Sequence, residues 1–172
     1  TKARFQPVSA VTSGVADLRR IVAEARENQT MYQERTILFV DEIHRFNKSQ
    51  QDVILPHVED GTVTFIGATT ENPSFEVIAP LLSRCRVFTL QPLSTQQVEE
   101  IVGRALSDDE IGLGKLKASL VQDAMSQLIS VANGDARVAL NALETAVFAT
   151  EPDAQGKRTI DLETISDALQ RR

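Results

Sequence analysis

The chain has 172 residues and a mass of 18.9 kDa, which leaves room for one compact domain or one domain with a small appendage. The net charge of −6 and the pI of about 5.0 argue against a broad basic surface for nucleic acid. One cysteine, Cys85, excludes an internal disulfide bond and a thiolate zinc site. No apolar run is long enough to cross a membrane. We therefore expect a protein of the reducing cytoplasm.

The first half of the chain alternates predicted strands with predicted helices. The predicted strands cover residues 4–10, 36–40, 63–68 and 86–90. Apolar residues at helical spacing predict helices over 15–28 and 48–59, and Pro56 should bend or shorten the second one. The strand at 4–10 is weak, and Pro7 suits an edge position. This alternation indicates an α/β fold with a parallel sheet.

The pattern becomes helical near residue 93. Helical periodicity covers residues 96–106, 119–132, 137–149 and 161–169. Asn133 and Gly134 predict the end of one helix, and Asp135 predicts the N-cap of the next. We therefore predict two domains: an α/β core over residues 1–92 and an all-helical subdomain over residues 93–172.

Two carboxylates, Asp41 and Glu42, directly follow the predicted strand at 36–40. In parallel α/β sheets, ligands gather at the carboxyl ends of the strands. An aspartate there can hold Mg²⁺ beside nucleotide phosphates, and a glutamate one residue on can polarise the attacking water. The alternative is that Asp41 caps the next turn and Glu42 is solvated. His44 is a weaker candidate for the base than Glu42, and we expect it to pack or hydrogen-bond structurally.

Hydroxyl and guanidinium groups follow at later points of the chain. Thr69 and Thr70 end the strand at 63–68, where a hydroxyl can hold the lytic water or contact a γ-phosphate, or simply start a loop. Arg84 is placed to reach a neighbouring subunit's nucleotide as an arginine finger, whereas we interpret Arg86 as a surface residue. Arg137, in the first turn of a predicted helix, is either a phosphate contact or an ordinary surface arginine.

The order of these motifs resembles that of the AAA+ ATPases. The stretches TILFVDEIHRFNKSQQD, LPHVEDGTVTFIGATTENPSF and LLSRCRV are similar to the replication-associated recombination protein A family, bacterial relatives of Mgs-type and Werner-helicase-interacting ATPases. The resemblance implies a P-loop NTPase sheet followed by a helical lid, with ATP and Mg²⁺ as cofactors. The implied roles are Walker B for Asp41 (the Mg²⁺ ligand) and Glu42, sensor 1 for Thr70 beside Thr69, arginine finger for Arg84 and sensor 2 for Arg137.

The same resemblance implies a biological setting. It implies ATP-driven action on DNA or DNA-bound proteins at stalled or gapped replication forks, with fork, gap or single-strand/double-strand junction DNA as partner. It also implies a tetramer-like homo-oligomer, contact with single-strand-binding protein, and a place at the bacterial nucleoid in the cytoplasm. The alternatives are a clamp-loader-like or Holliday-junction branch-migration ATPase, or a non-hydrolysing AAA+-like interaction module.

The phosphate-binding motif G-x-x-x-x-G-K-[ST] is absent from the printed sequence. The nearest match, Gly112-Leu-Gly114-Lys115, lacks the first glycine and the hydroxyl residue, so we reject it. We therefore expect a central fragment of a longer ATPase that is inactive alone. The resemblance to the AAA+ ATPases implies a sheet of strand order 5-1-4-3-2, of which this chain supplies strands two to five. Strands 36–40 and 63–68 should pair in parallel, and 86–90 should be a separated edge or collapse onto 63–68.

Overall fold

The computed structural model describes residues 2–170 and divides the chain into two units, Thr1–Phe88 and Thr89–Arg172. The division falls four residues before the predicted boundary between 92 and 93. Residue 1 and residues 171–172, which the two predicted domains included, lie outside the described residues. Each unit encloses a hydrophobic core of its own.

The first unit is built on a three-stranded parallel sheet. Its strands are β1 (Ala3–Ser9), β2 (Arg35–Asp41) and β3 (Val63–Gly67), in the spatial order β1-β2-β3. Ser9 lies opposite Asp41, and Val40 lies opposite Gly67, so the three strands end at the same edge of the sheet. The predicted parallel pairing of 36–40 with 63–68 is confirmed, and the weak strand at 4–10 forms with Pro7 on the outer strand.

Two helices connect the three strands. They are α1 (Val15–Tyr32) and α2 (Lys48–Glu59). α1 buries Leu18, Ile21, Val22 and Ala25, the apolar positions whose spacing predicted it. α2 begins with a capping box in which the Asn47 side chain accepts from the Gln50 amide and the Gln50 side chain accepts from the Asn47 amide. The helix continues through Pro56 to Glu59, the full predicted range, so Pro56 does not shorten it, and the alternative of a bend stays a prediction.

Residues 86–90 do not form the predicted strand. Val87, Phe88 and Leu90 are 57%, 77% and 89% exposed, so the apolar run gains little burial. A strand needs a neighbour that pairs with its backbone N–H and C=O groups. Within residues 2–170, β3 is the last strand of its sheet, and its outer side carries no partner. The local apolar pattern therefore predicted a strand that does not form, and neither a separated edge strand nor a strand collapsed onto β3 is present at 86–90.

A polar side chain fixes the segment between β3 and Arg84. This segment contains the short helices α3 (Pro73–Glu76) and α4 (Ala79–Leu82), which the sequence did not predict. Gln51 of α2 is 1% exposed. Its Nε2 donates to the carbonyls of Phe46 and Glu76 at 3.0 and 2.9 Å, and its Oε1 accepts from the Ile78 amide at 2.9 Å. These hydrogen bonds fasten α3 and the start of α4 to α2.

The second unit is mainly helical. Its helices are α5 (Thr95–Ser107), α6 (Gln122–Ala132), α7 (Ala136–Ala149) and α8 (Leu162–Gln170). The unit also contains a short parallel ladder of β4 (Ala118–Leu120) and β5 (Arg158–Ile160), so the prediction of an all-helical subdomain is wrong in this detail. Three residues in each strand give too short a pattern for period-two alternation to be recognised. Within residues 2–170, no helix is both long and apolar enough to span a bilayer.

The turn between α6 and α7 has the chemistry that the sequence predicted. Asn133 ends α6 in the left-handed conformation, and Gly134 follows with φ of 83°. A Cβ at Gly134 would lie 2.8 Å from the Leu93 carbonyl oxygen, so a side chain is disfavoured by space as well as by φ. The Asp135 side chain accepts from the amides of Arg137 and Val138, which caps α7.

The Gln51 hydrogen bonds give a first prediction. In Gln51→Leu, the volume stays similar but two carbonyls and one amide lose their partner. We expect the free energy of unfolding of the first unit to fall by about 1–3 kcal/mol. Urea unfolding, followed by a probe in each unit, measures the change. Gln51→Glu keeps the acceptor for Ile78 but sets a buried carboxylate against the Phe46 and Glu76 carbonyl oxygens, so at neutral pH it should be at least as unstable as the leucine variant. Equal stability of all three proteins would contradict this role.

Candidate functional site

The acidic pair lies where β2 ends. Asp41 is the last residue of β2 and is exposed, and its Oδ1 accepts from the Glu42 amide at 3.1 Å. Glu42 has φ of 57° and ψ of 45°, the left-handed region, which costs a non-glycine residue about 1–2 kcal/mol. This conformation ends the strand abruptly and starts a short 3₁₀ helix, Ile43–Arg45. Strained backbone of this kind is concentrated at functional sites.

Backbone hydrogen bonds join the end of β2 to the end of β3. The Ala68 amide donates to the Val40 carbonyl at 2.9 Å, and the Ile43 amide donates to the Ala68 carbonyl at 3.0 Å. The contact between the strands therefore extends past both strand ends. As a result, the structure brings the segments of Asp41-Glu42 and Thr69-Thr70 to the same edge of the sheet, as the sequence predicted.

His44 connects these two segments through its side chain. Its Nε2 lies 3.1 Å from Glu42 Oε2, and its Nδ1 lies 2.9 Å from Thr69 Oγ1. The His44 side chain is 12% exposed, while that of Glu42 is 36% exposed. The sequence predicted only a structural hydrogen bond for His44. Its two partners, one on each strand end, could not be read from the sequence.

The two threonines differ in their surroundings. Thr69 is half-buried, and its hydroxyl oxygen contacts His44 and accepts from the Glu71 amide at 3.0 Å. Thr70 is exposed, and its hydroxyl makes no hydrogen bond with the rest of residues 2–170. Thr70 therefore has a hydroxyl free for a ligand, whereas the Thr69 hydroxyl already has protein partners.

The aspartate at the strand end fits a magnesium ion that is shared with a nucleotide. One Asp41 oxygen is engaged by the Glu42 amide, which leaves the other open on an exposed side chain. Mg²⁺ is commonly held by one or two carboxylates, substrate phosphates and water. Within the described part of the chain there is no cluster of three or more His, Cys, Asp or Glu that could hold a metal. Within that part of the chain, Asp41 would therefore hold the ion with fewer than two further His, Cys, Asp or Glu side chains.

Arg84 lies in the first unit and is bound to its own chain. Its guanidinium forms an ion pair with Glu59 at the end of α2, and its Nη1 donates to the Pro80 carbonyl at 2.8 Å and to Ser83 Oγ at 3.1 Å. The side chains of Arg84 and Glu59 are each 41% exposed. An exposed ion pair of this kind contributes about 0–1 kcal/mol, so a phosphate can displace Glu59 easily.

Cys85 and Asp60, which directly follow Arg84 and Glu59 in the chain, have shifted pKa values. Partial burial raises the pKa of the Cys85 thiol, beside Arg84, so the thiol is a poor nucleophile at neutral pH. The Asp60 carboxylate follows Glu59 at the end of α2. Hydrogen bonds from the Thr62 hydroxyl and then the Thr62 amide lower its pKa to about 2. Asp60 therefore stays ionised and holds the turn before β3.

Arg137 belongs to the second unit. Its amide donates to Asp135 at 2.8 Å, and its side chain is exposed in the first turn of α7. Among residues 2–170 its guanidinium forms no ion pair. The structure therefore leaves the guanidinium accessible, and a contact with nucleotide phosphates stays a prediction.

Sequence reasoning missed one positioning residue, Gln51. It packs on the same face of α2 as the buried Ile54, three residues later. A polar residue at an apolar helix position is the signal that would have found it, because such a side chain must satisfy its hydrogen bonds inside the protein.

Family models match both units of the chain. Residues 4–93 match the model described as ATPase family associated with various cellular activities (AAA), and residues 114–172 match the AAA C-terminal domain. The first match alone spans 90 of the 172 residues.

Curated relatives extend the similarity. Replication-associated recombination protein A of Escherichia coli is 49% identical over 165 residues, which are 96% of this chain and 37% of that protein. The Bacillus subtilis protein of the same name is 37% identical over 172 residues, all of this chain and 40% of that protein. ATPase WRNIP1 of Dictyostelium discoideum is 43% identical over 90% of this chain and 17% of its own length. The chain thus spans well under half of these relatives.

A solved structure supports the fold. The Holliday junction branch migration motor RuvB of Thermotoga maritima matches with a TM-score of 0.71 at 22% identity, over 97% of this chain and 52% of that protein. The predicted fold class, a parallel α/β sheet with helices followed by a helical part, is confirmed. The resemblance to the replication-associated recombination proteins is confirmed as well. By these matches the chain belongs to the AAA family of ATPases.

Proposed function

We propose that this chain supplies the hydrolytic and sensing residues of an ATP-hydrolysing site. Asp41 holds Mg²⁺, Glu42 polarises the attacking water, and Thr70 contacts the γ-phosphate or the water. The observation that supports this best is the parallel pairing of β2 with β3, which places an acidic pair and a free hydroxyl at one edge of the sheet. Ligands of parallel α/β sheets collect at such an edge.

The chemistry divides between the neighbouring carboxylates. Magnesium, when bound, neutralises charge on the phosphate oxygens. Asp41 offers an open carboxylate oxygen for that ion, while one oxygen of Glu42 is held by His44 and the other is left for water. Glu42 then accepts a proton or hydrogen bond from the water as it attacks. Thr70 contacts phosphate oxygens at this edge of the sheet, and Arg84 acts on the nucleotide of a neighbouring copy. For Arg137, in the second unit, a phosphate contact stays a prediction.

The biological action proposed for this ATPase follows the names of its relatives. The relatives of Escherichia coli and Bacillus subtilis are named for replication-associated recombination, which supports action on fork, gap or junction DNA. We extend the proposal to a homo-oligomer of tetramer type that meets single-strand-binding protein in the bacterial nucleoid. To test this action, ATP turnover is measured with fork, gapped and fully duplex DNA, in a hybrid in which this chain replaces the matching segment of the Escherichia coli relative. Equal turnover with all three DNAs would contradict action on forks.

The glutamate can be tested in a hybrid protein. In this hybrid the chain replaces the matching 165-residue segment of the Escherichia coli relative, with that relative measured alongside as the activity standard. We expect Glu42→Gln to lower turnover by about 10²–10⁴-fold while ATP affinity is retained, because the shape stays and the water-polarising charge is lost. Steady-state turnover and fluorescent-nucleotide titration measure both quantities. Glu27→Gln, on the exposed side of α1, is the matched control. Full turnover in Glu42→Gln removes Glu42 from the mechanism.

The arginine can be tested by mixing variants of the same hybrid. Arg84→Ala should lower turnover by about 10³-fold or more, whereas Arg86→Ala, also exposed, should not. If Arg84 acts on a neighbour, mixing Arg84→Ala with Glu42→Gln subunits restores part of the activity, because some interfaces then join an intact Glu42 to an intact Arg84. Native mass spectrometry confirms that mixed oligomers form. Mixed oligomers without recovered turnover would contradict action in trans.

The 172-residue chain alone should bind ATP poorly. The printed sequence lacks the phosphate-binding loop, and Asp41 and Glu42 repel an anionic ligand unless Mg²⁺ lies between them. Titration with a fluorescent ATP analogue and Mg²⁺ should show no saturation in the micromolar range, because Mg²⁺ on surface carboxylates keeps most of its water ligands. Micromolar affinity, or ATP turnover by this chain alone, would show that its phosphate site is complete.

A further inference from the structure

The His44 side chain is the direct link between the acidic pair and the loop after β3. It contacts Glu42 Oε2 at 3.1 Å through Nε2 and Thr69 Oγ1 at 2.9 Å through Nδ1. We propose that His44 is a positioning residue that holds the Glu42 carboxylate in place and ties it to the Thr69 hydroxyl. This assignment rests on the proposed ATPase role of Glu42. The three side chains are called the Glu42–His44–Thr69 bridge below.

The Nε2–H tautomer of a neutral imidazole satisfies both hydrogen bonds of the bridge. His44 Nε2–H donates to the Glu42 carboxylate, and the Thr69 hydroxyl donates to His44 Nδ1. The Thr69 oxygen in turn accepts from the Glu71 amide at 3.0 Å. Each donor therefore meets an acceptor, and the arrangement ends on a backbone amide that belongs to the loop after β3.

The position of the bridge makes it suited to transmit a movement. Thr70 lies next to Thr69, and its free hydroxyl is the group proposed to contact the nucleotide. A shift of this loop on phosphate contact moves the Thr69 hydroxyl, which moves His44, which moves Glu42. His44 is largely buried, at 12% exposed, so its ring has little freedom to absorb the shift. The bridge thus couples occupancy of the nucleotide site to the direction of the Glu42 carboxylate.

Kinetics of the hybrid defined above separate positioning from binding. We expect His44→Leu to lower kcat by about 10–100-fold, the size seen when a group that orients a reacting residue is lost, with KM for ATP within about twofold. His44→Gln keeps a donor and an acceptor on a side chain of similar reach, so it should recover most of the lost kcat. A change confined to KM, or equal losses in the leucine and glutamine variants, would overturn the proposal.

A double-mutant cycle tests whether the bridge acts as a unit. Thr69→Val removes the hydroxyl at nearly constant shape and should lower kcat, whereas Thr69→Ser, which keeps the hydroxyl, should recover most of that loss. In the His44→Leu variant, adding Thr69→Val should then lower kcat little further, because the connection between Thr69 and Glu42 is already broken. Additive losses in the double variant would show that the two residues act independently, which contradicts the bridge.

The 172-residue chain provides a test that does not depend on ATP turnover. His44 and His57 are its two histidines, so the ¹⁵N imidazole signals can be assigned with a His57→Gln variant. We expect the His44 signals to show the Nε2–H tautomer, and Glu42→Gln or Thr69→Val to shift them, while Glu27→Gln leaves them unchanged. An Nδ1–H tautomer, or signals that respond to neither variant, would overturn the bridge.

Different results would refute the proposed ATPase role of Glu42 and the proposed Glu42–His44–Thr69 bridge. If Glu42→Gln retains full turnover, the proposed role of Glu42 fails whatever His44 does. If Glu42→Gln is inactive and His44→Leu keeps its full kcat, the ATPase role stands and the bridge alone is refuted.

Discussion

The parallel pairing of β2 with β3 is the constraint on which the candidate site depends. The register that sets Val40 opposite Gly67 brings both strand ends to one level, and the Ile43 amide extends the contact to Ala68. A slip by one residue would turn every side chain of β3 to the other face of the sheet and would move the threonines away from the carboxylates. Burial of Val63 of β3 in the core opposes such a slip. Packing in the core therefore keeps Thr69 and Thr70 beside Asp41 and Glu42.

The parts of the fold that short-range chemistry dictates could be predicted from the sequence. α1 follows from apolar residues at helical spacing, and the turn at Asn133-Gly134 follows from residues that tolerate left-handed backbone. The meeting of Asp41-Glu42 with Thr69-Thr70 followed from one further rule, that neighbouring parallel strands end together. The pairing of Arg84 with Glu59 was not predicted.

The contacts that escaped prediction join residues far apart in the chain. His44 and Thr69 are 25 residues apart, and Gln51 and Ile78 are 27 apart, so no local pattern records either hydrogen bond. At 86–90 the local pattern was present, but among residues 2–170 the tertiary partner that a strand requires was not. The β-branched and aromatic residues of this segment have the right local preference, but a strand also needs a neighbour, and propensity does not say whether one is present.

The outer side of β3 has a consequence for how this chain behaves in solution. Among residues 2–170 no strand pairs with this side, so its N–H and C=O groups form a template on which a strand from another molecule can add. Ile66, 44% exposed, supplies apolar contact there. The apolar side chains of Val87 and Phe88 lie open on the same unit. Like-charge repulsion from a net charge of −6 opposes association, but salt screens it. For this chain in isolation, colloidal stability therefore depends on dilution and low ionic strength.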